Sequence, residues 1–213
     1  MKAVSLISGG IDSPVSSYLM LRNGVEIIYA HFHSFPIVSK ASAHKAVQLV
    51  RILSRYQSPS TLYLIPFGEV QTYLRTRVDP RYLVILYRRF MLRIAERLAE
   101  EEKAEALVTG ESLGQVSSQT LQNLRVIDSA VTIPVLRPLI GFDKEEITSL
   151  AKSIGTYEIS IKPQEDCCTL FVPRRQVTAA KLEVVEEIES RLPIRKLIDF
   201  ALKKVEKIIV EHP

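Results

Sequence analysis

The sequence predicts an α/β protein: a parallel sheet of about five strands, helices on both faces, and helices at the C-terminal end. Three observations carry this. Short apolar runs alternate with amphipathic stretches, the order of a parallel sheet with crossover helices. A Gly/Ser turn joins the first apolar run directly to a helix. From Pro173 onward only helical spacing remains.

In chain order, Ala3-Val4-Ser5-Leu6-Ile7 reads as a buried strand, and Val15 to Leu21 as a helix ending near Asn23-Gly24. Val25–His33 is a second strand, and Ala41–Tyr56 a helix with Ala46, Leu49, Val50 and Leu53 on one face. Thr61–Phe67 is a third strand. Pro80 opens a long helix towards Lys103, with Leu83, Leu86, Tyr87, Phe90, Ile94 and Leu98 inward. Ala106–Thr109 is a short fourth strand, a helix spans Ser117–Leu124, and Thr132–Leu136 is a fifth strand that, by Pro134, is at an edge or ends early. Asp143 and Glu146 have capping-box spacing, and Gly155 closes that helix. In the C-terminal part, Ile194, Leu197, Ile198, Ala201, Leu202, Val205, Ile208 and Ile209 form an apolar stripe. The stripe requires burial, on the chain's own body or in a homodimer. The expected division is residues 1–172 and a helical extension, residues 173–213.

Ser8-Gly9-Gly10-Ile11-Asp12-Ser13-Pro14 is the chemically richest stretch. A strand, a glycine turn and a helix N-terminus together cradle an anion, because unpaired N–H groups and the positive end of the helix dipole converge there. The stretch lacks the Gly-Lys-Ser/Thr of a Walker loop and the third glycine of a dinucleotide fingerprint. A carboxylate at Asp12 fits an anion site when it helps hold Mg²⁺ on a phosphate chain.

At 213 residues the chain is long enough for one sizeable core, and 46% hydrophobic with 24% charged residues is ordinary for a globular protein. A formal net charge of +4 permits an acidic partner without demanding one. No apolar run reaches membrane-spanning length. The only cysteines, Cys167 and Cys168, are adjacent and cannot staple a fold, which fits a reducing cytoplasm. They lie in Gln164–Thr169, which lacks strand or helix periodicity. The residues alone leave a reactive and a structural cysteine equally open, and too few Cys and His converge for a structural zinc. Between Arg75 and Arg97, arginines outnumber acids and are interleaved with Tyr82, Tyr87 and Phe90, a pattern suited to RNA or to a solvated helix face.

Ser-Gly-Gly-x-Asp-Ser resembles the PP-loop of the ATP pyrophosphatases, which cleave ATP between the α- and β-phosphates. The larger order is Leu6–Val15, His31-Phe32-His33, Thr109-Gly110-Glu111-Ser112-Leu113-Gly114-Gln115-Val116-Ser117-Ser118-Gln119-Thr120, Pro138–Gly141 and Glu165–Cys168. It resembles the PP-loop domain of the tRNA 4-thiouridine synthetases, sulfurtransferases also linked to thiamine biosynthesis.

The resemblance implies a Rossmann-like sheet of the adenine nucleotide alpha hydrolase type. It implies ATP and Mg²⁺ as cofactors, tRNA as partner, and a sulfur donor that is a cysteine desulfurase, a rhodanese-type protein or sulfide. By it, Leu6 and Ile7 flank the nucleotide, and Ser8, Gly9, Gly10, Asp12 and Ser13 hold the phosphates, with Asp12 serving adenylation. His31 and Phe32 lie by the adenine or ribose, Arg88, Gly110 and Gln119 match further nucleotide contacts, and Cys167 matches the cysteine of sulfur transfer. Arg75, Arg77, Arg81 and Arg89 are the candidate tRNA contacts. Neither the THUMP region nor the rhodanese domain of longer family members is expected within this sequence. The other readings are a PP-loop amide ligase, a thiolase of another base, and a non-catalytic nucleotide-binding subunit.

Overall fold

The computed structural model of the chain describes residues 1–163, 171 and 175–212. The expected strand–helix alternation is present: β1 (Lys2–Leu6), α1 (Asp12–Arg22), β2 (Glu26–His33), α2 (Ala41–Leu53), β3 (Ser60–Pro66), α3 (Gly68–Arg75), α4 (Leu83–Glu102), β4 (Ala106–Val108), α5 (Leu121–Asp128), β5 (Val135–Leu136), α6 (Lys144–Ser153), α7 (Tyr157–Ser160), α8 (Leu182–Ser190), α9 (Ile194–Leu202) and β6 (Glu206–Val210).

The described strands form one sheet ordered β5-β4-β1-β2-β3-β6. β1 to β5 are parallel and β6 is antiparallel to β3. The chain moves outward from β1 through β2 to β3, then returns to the other side of β1 for β4. That reversal opens a crevice between the carboxyl ends of β1 and β4, where open α/β sheets bind ligands.

Period-two alternation divides the core into two layers. Val4, Ile28, Ala30, Phe32 and Ile65 face α4. Ala3, Ile27, Tyr29, Leu62 and Leu64 face the layer containing α1, α2 and α6. Long α4 supplies Leu86, Tyr87, Phe90, Ile94 and Leu98 to its layer, as its spacing requires. Asp143 caps α6 in the expected capping box with Glu146, and Gly155 follows it at a positive φ of 79°.

Three expectations are corrected. The helix expected over Ser117–Leu124 is a 3-10 turn at Ser117–Gln119 followed by α5, because Thr120 takes an extended conformation and accepts the Asn123 N–H as a new N-cap. The fifth strand is short, only Val135–Leu136, but it is at the edge that Pro134 indicated. The C-terminal stripe stays helical only to Leu202. Ile208 and Ile209 belong to β6, whose Lys207 pairs with Glu102. Val185, Ile198 and Ala201 are buried in the same layer as α4, so the chain's own body covers the helical part of the stripe. α3 had no counterpart in the expected pattern.

Candidate active site

The turn after β1 lies at the strand reversal. Ile7 N–H still bonds the Ala30 carbonyl of β2 (2.9 Å), so the chain leaves the sheet only at Ser8. Two hydroxyls then organise the turn. Ser8 N–H donates to Ser13 Oγ (2.8 Å), Gly10 N–H donates to Ser8 Oγ (3.2 Å), and the two oxygens are 3.1 Å apart. α1 begins at Asp12 with no side chain capping it, and Pro14 lacks the N–H that would be idle in a first turn. The first-turn N–H groups of α1 have no intrahelical partner.

Gly110, just past β4, closes the other wall. A Cβ there would stand 2.7 Å from both N and Cα of Ser13, a separation no side chain tolerates. Ser16 Oγ donates to Thr109 O (2.8 Å) and locks α1 to the same strand end. In the sequence Gly110 matched a nucleotide contact only through the family resemblance. Its packing against the start of α1 is a product of β4 pairing with β1.

Burial raises the Asp12 carboxyl above its ordinary range, and the Lys144 charge offsets only part of that rise. Lys144 is the first residue of α6. No motif marked it, because its approach to Asp12 depends on where α6 packs. Among the described residues no cluster of three His, Cys, Asp or Glu could hold a metal ion by itself. A cation here fits as one shared between Asp12 and ligand phosphates.

The other expected positions differ in kind. His31 is buried and its Nδ1–H donates to Ile7 O (2.9 Å), so its ring holds the start of the turn. Its Nε2 lies 3.4 Å from Ser42 Oγ. The Phe32 ring packs edge-on against Phe67 in the core, leaving its backbone at the strand end. Next to this pair, His33 is pushed down to about 4 by burial, with His31 and Lys40 adding to the effect, so it is neutral at pH 7.

Arg88 donates to Glu111 Oε1 (2.6 Å), and Glu111 Oε2 accepts from Arg137 (2.6 Å) and Thr109 (2.7 Å). Burial alone would push the Glu111 carboxyl up, but Arg88 and Arg137 outweigh it and hold the group below its usual range. Arg137 also forks onto Asp128 (2.9 and 2.5 Å). Gln119 is buried, and its Oε1 has no hydrogen-bond partner among the described residues. An orphaned amide oxygen at this depth is costly unless a ligand donor satisfies it. A cleft of about 650 Å³ is lined by Leu113, Val116, Ile140, Phe142 and Lys144, the last being the residue whose charge acts on Asp12.

The candidate RNA contacts separate. Arg75 and Arg77 are exposed, with guanidiniums 4.3 Å from the Phe171 ring and 3.9 Å from the Tyr73 ring. Arg81 is exposed and forks onto Asp79 (3.0 and 2.6 Å), which offsets its charge. Arg89 is corrected. It is 2% exposed and binds both oxygens of Glu189, so no nucleic acid can reach it. Cys167 and Cys168 lie outside the described residues.

Residues 1–194 match the family described as thiamine biosynthesis protein (ThiI). The chain belongs to the ThiI family. Among relatives of this ThiI-family chain, a probable tRNA sulfurtransferase of Thermus thermophilus is 53% identical over 212 residues, 100% of this chain and 52% of that protein. One from Moorella thermoacetica is 47% identical over 210 residues, 99% and 54% respectively. The ThiI-family chain thus spans about half the length of the curated relatives it matches. The crystal structure of a 4-thiouridine synthetase–RNA complex with bound ATP superposes with a TM-score of 0.94 at 43% identity, covering 99% of this chain and 55% of that one. An NMN synthetase from Francisella tularensis, at 14% identity and a TM-score of 0.58, shares the fold.

Proposed function

We propose that this chain is the nucleotide-binding half of an ATP-dependent sulfurtransferase that converts a tRNA uridine to 4-thiouridine. The carrying observation is the Ser8–Ser13 turn at the strand reversal, walled by Gly110 and faced by Asp12 and Lys144. Its supports are the named activities of the relatives, of whose length this chain spans about half, and the ATP and RNA bound by the related 4-thiouridine synthetase.

In this reading the idle N–H groups at the start of α1 bind the polyphosphate, and the Gln119 amide oxygen accepts a donor of the nucleotide. The uridine base leaves its stack and enters the cleft of Leu113, Val116 and Ile140. Its O4 attacks the α-phosphorus, the α–β bridging bond breaks, and pyrophosphate leaves. Lys144 and the turn stabilise the charge that develops on the phosphates. Mg²⁺, when bound through the phosphates and Asp12, supplies Lewis-acid charge neutralisation. A sulfur nucleophile then attacks C4, and AMP departs with the original oxygen. When the sulfur arrives as a persulfide on a desulfurase or rhodanese-type donor, its outer sulfur attacks C4 and the Cys167 thiolate is the candidate to cleave the S–S bond, leaving 4-thiouridine and a Cys167–donor disulfide that an external thiol reduces; free sulfide dispenses with it. The same sulfur chemistry accommodates a thiamine-precursor role.

The test is pyrophosphate release from ATP with bulk tRNA and sulfide. Asp12→Ala abolishes release, and Cys167→Ser leaves it intact with sulfide. Release that ignores tRNA, or persists in Asp12→Ala, overturns the proposal.

A further inference from the structure

Three carbonyls at or next to the Ser8–Ser13 turn meet side chains, and one of those side chains comes from a distant helix. His31 of β2 takes Ile7 O (2.9 Å), and Ser13 lies 3.4 Å from Ser8 O. Ser160, the last residue of α7, donates its hydroxyl to Gly10 O (3.1 Å) across 150 residues of sequence. In a trans peptide the C=O and the following N–H point in opposite directions. A Gly10 carbonyl fixed on α7 therefore turns the Ile11 N–H away from α7. Ile11 is the N-cap residue of α1, and no side chain caps that helix.

This grip matters because of the glycines. A flip of the Gly10–Ile11 peptide turns ψ of Gly10 and φ of Ile11 together: Gly10 resists little, whereas β-branched Ile11, now at φ −73°, would be carried to positive φ. Flipped, the peptide would present a carbonyl oxygen to an anion in place of an N–H donor. Ile11 disfavours the flip from within the turn, and Ser160 adds a contact from outside it that fixes the carbonyl's direction where Gly10 leaves ψ free.

Ser160 is itself secured. α7 has only four residues, too few to hold a helix unaided. Buried Lys45 of α2 donates its ammonium to the carbonyls of Ser160 (2.8 Å) and Lys162 (2.7 Å). A cation at the carbonyl end of a helix is favoured by its dipole as well as by the hydrogen bonds. The Lys45 ammonium, the Ser160 backbone, the Ser160 hydroxyl and the Gly10 peptide form one continuous line.

We propose that Ser160, backed by Lys45, is a positioning residue of the nucleotide loop: it fixes the Gly10–Ile11 peptide with its N–H towards the polyphosphate. This rests on the reading of that turn as the ATP site. Removing the hydroxyl costs phosphate affinity and spares the nucleoside end, a split that general destabilisation does not produce.

The experiment measures dissociation constants of ATP, pyrophosphate and adenosine by calorimetry for the wild type, Ser160→Ala and Ser160→Thr. In Ser160→Ala, ATP and pyrophosphate weaken about tenfold, the value of one lost hydrogen bond to a charged assembly, while adenosine is unchanged. Ser160→Thr keeps a hydroxyl and stays within about threefold of wild type. Equal weakening of ATP and adenosine, or no weakening of either in Ser160→Ala, overturns the proposal. A wild-type chain with no ATP affinity would overturn the reading of the site itself, and this proposal with it.

Discussion

Glu189→Gln isolates one buried electrostatic cluster among the described residues. Glu189 on α8 receives four guanidinium hydrogen bonds, from Arg89 (2.9 and 2.7 Å) and Arg93 (2.6 and 2.8 Å) of α4. The Arg89 and Glu189 side chains are 2% and 5% exposed. Arg89 further donates to Val126 O and Ser129 Oγ, so one guanidinium ties α8, α4 and α5 together. Burial alone would raise the Glu189 carboxyl, but Arg93 and Arg89 outweigh it and hold it at about 2, down from 4.5. That drop corresponds to about 3 kcal/mol of charge-dependent stability, in line with the roughly 3–5 kcal/mol cost of breaking a buried pair.

The sign is that of a depressed carboxylate. The contribution is fully present above pH 4.5 and is lost as pH falls towards 2. Glutamine keeps the shape and removes the charge, leaving two arginines with one neutral acceptor. In a protein of this size about 3 kcal/mol lowers the melting temperature by about 6–12 °C. Scanning calorimetry of both proteins from pH 7 to pH 2 should show that gap at neutral pH and its closure in acid. A Glu189→Gln protein that melts within about 2 °C of wild type at pH 7, or a gap that persists unchanged at pH 2, would refute the reasoning.

Gly110→Ala puts a Cβ into the Ser13 backbone, so it should lower stability by about 1–3 kcal/mol and cut ATP affinity at least tenfold, read by urea titration and calorimetry. Lys144→Met removes the cation acting on Asp12. It should slow pyrophosphate release by about tenfold to a hundredfold with the fold intact by circular dichroism. Arg75→Ala and Arg77→Ala, both at exposed positions, should each reduce the slope of log affinity for tRNA against log salt by about 1. Arg81→Ala should change it less, because Asp79 already offsets that charge.

The local chemistry of this protein was legible in its sequence. The Ser/Gly turn between β1 and α1, the inward face of α4 and the Asp143 capping box all depend on residues within a turn or two of each other, where backbone geometry and hydrophobic period act directly. The residue identities at the turn are enough to imply an anion site, and the order of strands and helices implies the sheet that presents it.

The rest was decided by which distant segments meet. Arg89 sits in an arginine-rich helix that reads equally well as an RNA surface, and only the arrival of Glu189 from 100 residues away makes it structural. Ile208 and Ile209 extend a helical spacing, yet the free edge of β3 offers a backbone ladder that draws Glu206–Val210 into a strand. Lys144 and Ser160 carry no motif. They reach the turn because α6 and α7 pack beside α1 and α2. Periodicity tells which face of an element is buried. It cannot tell what lies against that face, because that depends on the path of the whole chain.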